Sequence, residues 1–406
     1  MRNLLFLIFL CVFISCQKNT NQENRIKEDV SFLASDKLEG RQTGTEGEKK
    51  AADYIRKRFE ELKLSEKGTN GYLQAFTFKP KTNPHDEVKF DVNGDGSITG
   101  NNIIGFLDNK AENTVIIGAH YDHLGYGGDG SLYRDSIKVI HNGADDNASG
   151  VAIMLNLAAK LKNKNINNNY LFIAFSGEEM GLLGSNYFVK NPTIDVKKVS
   201  YMINMDMVGR LKKDSTLAVY GTGTSPIFKQ TLRSHNNNFK LIQKESGVGP
   251  SDHTSFYLTD IPVLHFFTGQ HDDYHKPGDD SEKLNYKGME IIGNYIFNII
   301  SDLNDNGKLA FRKTKNESSQ VRFKVGLGVV PDYMFDGKGM RIDGISENKP
   351  AQKSGLQKGD IVIQLGDSLV TNMMSYMRAL SVFKKGDKTK VVVKRQNKKV
   401  EAEINF

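Results

Sequence analysis

Seven short apolar runs constrain the fold of this chain most: 73–78, 102–107, 114–118, 170–175, 199–205, 217–220 and 262–267. None is long enough for a typical helix, so each reads as a strand. Helix-like stretches lie among them, the clearest at 149–161 and 287–303, and two more at 25–34 and 46–62 precede the first run. In 46–62, Ala51, Ile55, Phe59 and Leu62 recur at three- and four-residue spacing, which makes one apolar stripe to cover a sheet face. Strands alternating with helices predict an α/β domain with a mixed, mostly parallel sheet flanked by helices. Sheets of this kind place ligands beyond the carboxyl ends of their strands.

The chain has 406 residues, enough for about two domains at roughly 100–200 residues each. Residues 304–320 are polar and lack periodicity, which suits a linker, and from Val321 to Phe406 the sequence becomes short-stranded and glycine-punctuated. The expected organisation is a leader (1–16), a polar tether (17–24), the α/β domain (25–303), the linker (304–320) and a small β-rich unit (321–406). Charge divides along the same boundary. Sixteen Lys or Arg against nine Asp or Glu give the last unit a net +7, which is the formal charge of the whole chain. With no aromatic interleaving and no nucleic-acid motif, that surplus reads as a solvated Lys-rich surface and not as a nucleic-acid site.

The leader runs Met1-Arg2-Asn3, an apolar stretch from Leu4 to Ile14, then Ser15-Cys16. This is the order of an export signal, and the stretch is too short to span a bilayer. A cysteine after a small residue at that point resembles the bacterial lipobox. The resemblance implies that Cys16 is acylated and that the protein is an exported lipoprotein on the periplasmic or outer face of a bacterial envelope. The only other cysteine, Cys11, would leave with the leader. No thiol pair then remains, and any metal must be held by oxygen and nitrogen.

Five places with ligand-type residues follow strand ends. They are His120-Tyr121-Asp122-His123, Asn142 to Gly150 with adjacent Asp145 and Asp146, Gly177-Glu178-Glu179, Asn204-Met205-Asp206-Met207, and His271 to Asp279 with His275. Read singly, most have a plain alternative, since a lone histidine is often a loop residue and an acidic pair often starts a helix. Asp206 is harder to dismiss, because an aspartate inside an apolar run must be paired, hydrogen-bonded or metal-bound.

In order, His-x-Asp, Gly-Ala-Asp-Asp-Asn-Ala-Ser-Gly, Gly-Glu-Glu, Asn-Met-Asp-Met and Tyr-His-Lys-Pro-Gly-Asp resemble the di-zinc aminopeptidases of the Y and S type, metallopeptidase family 28. The resemblance covers roughly residues 26–303. It implies two zinc ions per chain, one held by His120 and Asp206, the other by Glu179 and His275, with Asp145 bridging. It implies Glu178 as the general base, Asp122 as the carboxylate behind His120, and a cis peptide between Asp145 and Asp146. The substrates would be peptide or protein N-termini. Oxygen and nitrogen ligands suit zinc without excluding cobalt or manganese.

Nearby residues carry weaker signals. His123 and Tyr121 read as structural loop residues, with substrate contact the alternative for His123. Ser251-Asp252-His253 cannot form a hydrolase triad, whose members converge from separate elements, but the same resemblance allows Asp252 or His253 to line the cleft. Asp91 to Gly96 opens like a calcium loop, yet Asn102 stands where a glutamate is required, so a turn is expected.

In the last unit Gly326-Leu327-Gly328-Val329 resembles the carboxylate-binding loop of a PDZ domain, and Lys349 to Val362 is similar to a segment of bacterial PDZ domains. The resemblance implies capture of peptide C-termini at a sheet edge. Two rival functions remain at this point. One is a glutaminyl cyclase, which shares the catalytic fold but uses one zinc, and which the full ligand set and the absence of Trp disfavour. The other is a non-catalytic peptide-binding lipoprotein.

Overall fold

The computed structural model describes residues 23–80, 89–314 and 325–406, apart from positions 93, 129, 134, 136, 333, 334, 336 and 347. The leader with Cys16, most of the tether, and Asn93 of the calcium-like stretch lie outside the described residues, as does 315–320 of the expected linker. Two compact units separate near Thr314.

The first unit runs α1 (23–33), α2 (Glu46–Glu61), β1 (Ser65–Glu66), β2 (Leu73–Phe78), β3 (Ile98–Leu107), β4 (Asn113–His120), α3 (Gly150–Leu161), β5 (Asn168–Phe175), α4 (Leu183–Lys190) and β6 (Val199–Met205). It continues with β7 (Thr216–Tyr220), α5 (Phe228–Ser234), β8 (Lys240–Gln243), α6 (His253–Tyr257), β9 (Val263–Phe267) and α7 (Tyr286–Asp302). The strand order is β1-β3-β5-β4-β6-β9-β7-β8, with β2 on β3. All seven expected strands form. The sheet is parallel in its centre, β5-β4-β6-β9, and mixed at both sides, where β1, β2 and β5 run antiparallel to β3 and β7 runs antiparallel to β9.

Period-two side chains build two cores from one sheet. Val115, Ile117 and Ala119 of β4 and Tyr170, Phe172 and Ala174 of β5 join α1, α2, α3 and α7 on one face. Ile116, Leu171, Ile173 and Phe175 meet Phe188 of α4 and Phe256 of α6 on the other. Burial on both faces explains why β4 and β5 read as continuous apolar runs. From β4 the chain passes through α3 to β5 on one side, then through α4 to β6 on the other. The gap between β4 and β6 is therefore a topological switch point, and its carboxyl end is where a ligand is expected.

The second unit is an antiparallel sheet in the order β10-β11-β12-β14-β15 with β13 on β12. Its strands are β10 (Val329–Pro331), β11 (Met340–Ile345), β12 (Ile361–Leu365), β13 (Ser368–Leu369), β14 (Lys388–Arg395) and β15 (Lys398–Asn405), and its helices are α8 (Pro350–Lys353) and α9 (Met373–Ser381). Leu327, Ile342, Val362, Leu365, Val391, Val393 and Ile404 are fully buried in its core. Among the described residues no helix is long and apolar enough to cross a membrane.

Candidate metal centre

Four of the five expected donors converge at the carboxyl ends of β4, β5, β6 and β9, and the fifth position belongs to a neighbour. His120 Nε2 lies 3.3 Å from Asp146 Oδ1 and 3.4 Å from Asp206 Oδ1. His275 Nε2 lies 3.1 Å from Asp146 Oδ2 and 3.3 Å from Glu179 Oε2. Asp146 thus turns one oxygen to each histidine–carboxylate pair.

Asp145, expected as the bridge, faces away. Its Oδ1 accepts the Gly209 N–H at 2.6 Å, and Oδ2 lies 3.2 Å from His271 Nε2. The cis peptide is likewise one residue later than expected, between Asp146 and Asn147. The physical reason lies in the turn entering α3. Gly143 adopts a left-handed φ of 55°, and a Cβ there would meet the Asp146 carbonyl at 2.2 Å and the His123 ring at 2.5 Å. Asp279 Oδ2 then accepts the N–H groups of both Asp145 and Asp146, at 2.9 and 3.0 Å, which fixes the turn with Asp146 inward.

The donors fit a metal pair. Tetrahedral zinc with bonds of about 2.0–2.1 Å would separate neighbouring ligand atoms by roughly 3.3–3.4 Å, and the four contacts above span 3.1–3.4 Å. His120 Nε2 is buried without a hydrogen-bond partner, as a free ligand atom would be. Burial lowers the proton affinity of His120 and His275, but the surrounding carboxylates outweigh it, chiefly Asp206 and Glu178 for His120 and Glu179 for His275, and hold both pKa values well above normal.

Supporting residues set the remaining freedom. Asp122, expected behind His120, places its carboxylate 3.7 Å from His120 Nδ1, with its own backbone carbonyl nearer at 3.3 Å. The carboxylate also accepts the N–H groups of Glu178 (3.1 Å) and Glu179 (3.4 Å) and the Thr43 hydroxyl (3.0 Å), so it holds the Glu178–Glu179 turn as well. His275 Nδ1 donates to the Gly130 carbonyl at 2.8 Å, which leaves Nε2 facing the carboxylates. Asn147 clasps the backbone on both sides of Asp206, donating to Met205 O at 3.0 Å and accepting from Met207 N at 3.2 Å.

Two residues that the sequence reading passed over lie deeper. Arg41 is buried and donates to the carbonyls of Leu33, Tyr121, Asn142 and Gly143, tying both ligand loops together. Burial lowers its pKa to about 10, against the pull of Asp122, Asp146, Asp279 and Glu179, so it stays charged beside them. Glu48, also buried, accepts from Ser176, Tyr121 and Gly44 beneath the same loops.

Desolvation raises Glu48 from 4.5 to about 7. The folded state therefore binds this proton more tightly than the unfolded chain, and the associated stability is present below pH 4.5 and lost as pH rises through 7. Chemical denaturation of the parent and Glu48→Gln should show the variant gaining relative to the parent by up to about 3 kcal/mol between pH 4.5 and 7. A difference that does not change with pH contradicts this.

With the geometry in place, comparison with known proteins gives the family. Residues 102–300 match the model of peptidase family M28, and residues 309–406 match a PDZ domain. Residues 102–300 belong to peptidase family M28. A probable leucine aminopeptidase of Trichophyton verrucosum is 32% identical over 173 residues, 40% of this chain and 44% of that protein. The chain thus spans less than half the length of that relative. An aminopeptidase from Aneurinibacillus sp. strain AM-1 shares the fold with a TM-score of 0.53 and 18% identity, covering 72% of this chain and 95% of that one. So does a glutaminyl cyclase of Bacteroides thetaiotaomicron solved with N-acetylhistamine, at 0.55 and 16%, covering 69% and 97%. The M28 peptidase family and the His, Asp and Glu clusters support zinc as the metal.

Proposed function

We propose that this chain is a two-zinc aminopeptidase that hydrolyses the first peptide bond of its substrates, and that His120, Asp206, Glu179 and His275 hold the ions with Asp146 between them. The observation that carries this reading is the placement of the two Asp146 oxygens, 3.3 Å from His120 Nε2 and 3.1 Å from His275 Nε2. When bound, the ions polarise the scissile carbonyl and acidify water.

The chain's own part is proton transfer and positioning. Glu178 follows β5 beside the ligand Glu179, and among the described residues no hydrogen bond holds its carboxylate. Burial raises its proton affinity, and the opposing pull of His120 is outweighed by the like charges of Asp206, Asp252 and Glu179. Such a carboxylate is suited to take a proton from the attacking water and return it to the leaving amine. Asp122 holds the backbone of this turn so that Glu178 and Glu179 face the same space.

The test is metal content together with turnover of a panel of aminoacyl amides, with and without a chelator. Two equivalents of zinc and chelator-sensitive release of free amino acids are expected. Closure of N-terminal glutamine to pyroglutamate without amide hydrolysis would replace this reading with the cyclase.

The second unit supports capture of peptide C-termini. Gly328 has φ 74°, the Leu327 side chain is buried, and the carbonyls of Leu327 and Gly328 accept from Ala351 and Ser346 at 2.8 and 2.9 Å. The Gly326–Val329 loop is thus pinned through its carbonyls, and β10 ends the strand order, where a peptide strand can add. Fluorescence anisotropy with short apolar peptides should show at least about tenfold weaker binding once the C-terminus is amidated, a loss of about 1.4 kcal/mol. Equal affinity for both forms counts against carboxylate recognition.

Export and a lipid on Cys16 complete the proposal, supported by the order of charged, apolar and small residues in 1–16. The protein would then act at the periplasmic or outer face of a bacterial envelope. Intact mass of the membrane-extracted protein should exceed that of the chain starting at Cys16 by its acyl groups, and an unmodified Cys16 removes the anchor.

A further inference from the structure

We infer that His123 is a positioning residue of the second metal position, which fixes Glu179 as a ligand through one oxygen only. This rests on the two-metal reading above. The His123 ring is fully buried, and Nδ1 lies 2.8 Å from Glu179 Oε1, while His275 Nε2 faces the other oxygen, Oε2, at 3.3 Å.

The lengths separate two roles that the same residues allow, because His123, Asp146 and Glu179 are close enough together to hold an ion themselves. The contacts among the other donors are 3.1–3.4 Å, the spacing of neighbours around a shared cation, whereas 2.8 Å is a charge-assisted hydrogen bond. A carboxylate only accepts, so Nδ1 carries the hydrogen and is not a ligand atom.

The ring is braced for this task. Its Cγ and Cδ2 lie where a Cβ on Gly143 would sit, so the glycine makes room for it, and its edge meets the His275 ring with centroids 5.9 Å apart. His123 thereby occupies Oε1 and leaves Oε2 for the metal. A carboxylate held to one oxygen keeps a coordination position open for substrate, as catalytic sites require. Without the hydrogen bond Glu179 is free to turn or to bind through both oxygens.

The experiment is stepwise zinc competition with a chromophoric chelator on the parent, His123→Ala, His123→Asn and His275→Ala, with cobalt absorption spectra and thermal melts alongside. Asn places a side-chain N–H near the position of Nδ1. The parent should bind two ions. His123→Ala should weaken one of the two sites, the one also lost in His275→Ala, by about 10–100-fold, with the other site unchanged. His123→Asn should return the weakened site to within about threefold of the parent, with a parent-like cobalt spectrum.

Unchanged affinities in His123→Ala overturn the inference. So does a His123→Asn variant that melts like the parent yet binds as weakly as His123→Ala, since the ring would then be the ligand. A parent that binds fewer than two ions sinks the two-metal reading itself, which is a separate result.

Discussion

Exchange of Glu178 for glutamine is expected to lower kcat on an aminoacyl amide by about 10²- to 10⁴-fold while both zinc ions stay bound. None of the 3.1–3.4 Å contacts among the proposed ligands involves Glu178. The grip of Asp122 on this turn is through the N–H groups of residues 178 and 179, which the exchange keeps. Glutamine has the shape of the carboxylate but cannot shuttle a proton at neutral pH. The loss should therefore fall on kcat, with KM nearly unchanged. Metal analysis and steady-state kinetics on one preparation decide it: parent-like kcat with two zinc ions bound removes Glu178 as the base, and loss of a zinc makes it a ligand.

Much of this site was legible in the sequence because strand ends are. Most of the apolar runs are followed by polar residues, and in a sheet buried on both faces a strand end is the place where a charged side chain is least costly, although Asn204 and His265 are buried within β6 and β9. His120, Glu179, Asp206 and His275 all follow that rule. The choice between Asp145 and Asp146 does not, because neighbouring carboxylates in one turn point in different directions and the backbone decides which faces in. That decision is made by Gly143 and by Asp279, 133 residues downstream of Asp146.

The supporting residues were illegible for a related reason. Arg41 acts on four carbonyls spread from Leu33 to Gly143, and a carbonyl leaves no trace in residue type. Glu48 lies in the expected helix 46–62 and looks like an exposed acid of its first turn, yet it is buried under the ligand loops. His123 was weighed only as a loop residue or a substrate contact, and its partner Glu179 is 56 positions away. Periodicity reports which face an element buries, not which polar atoms meet across elements.

The off-by-one at the bridge yields the sharpest comparison between two single substitutions. Asp146→Ala is expected to abolish paired metal binding, leaving at most one zinc per chain, and to reduce kcat/KM at least about 10³-fold, or roughly 4 kcal/mol of transition-state stabilisation. Both histidines lose the oxygen that each shares with it. Asp145→Asn should keep two zinc ions, because its carboxylate meets Gly209 and His271 and neither proposed ligand histidine. Its cost should appear as stability, about 1–3 kcal/mol for a disturbed buried acceptor, with kcat/KM reduced far less than in Asp146→Ala. If the two variants exchange these behaviours, the bridge belongs to Asp145 and the inward turn at Asp146 described here is not the one that binds metal.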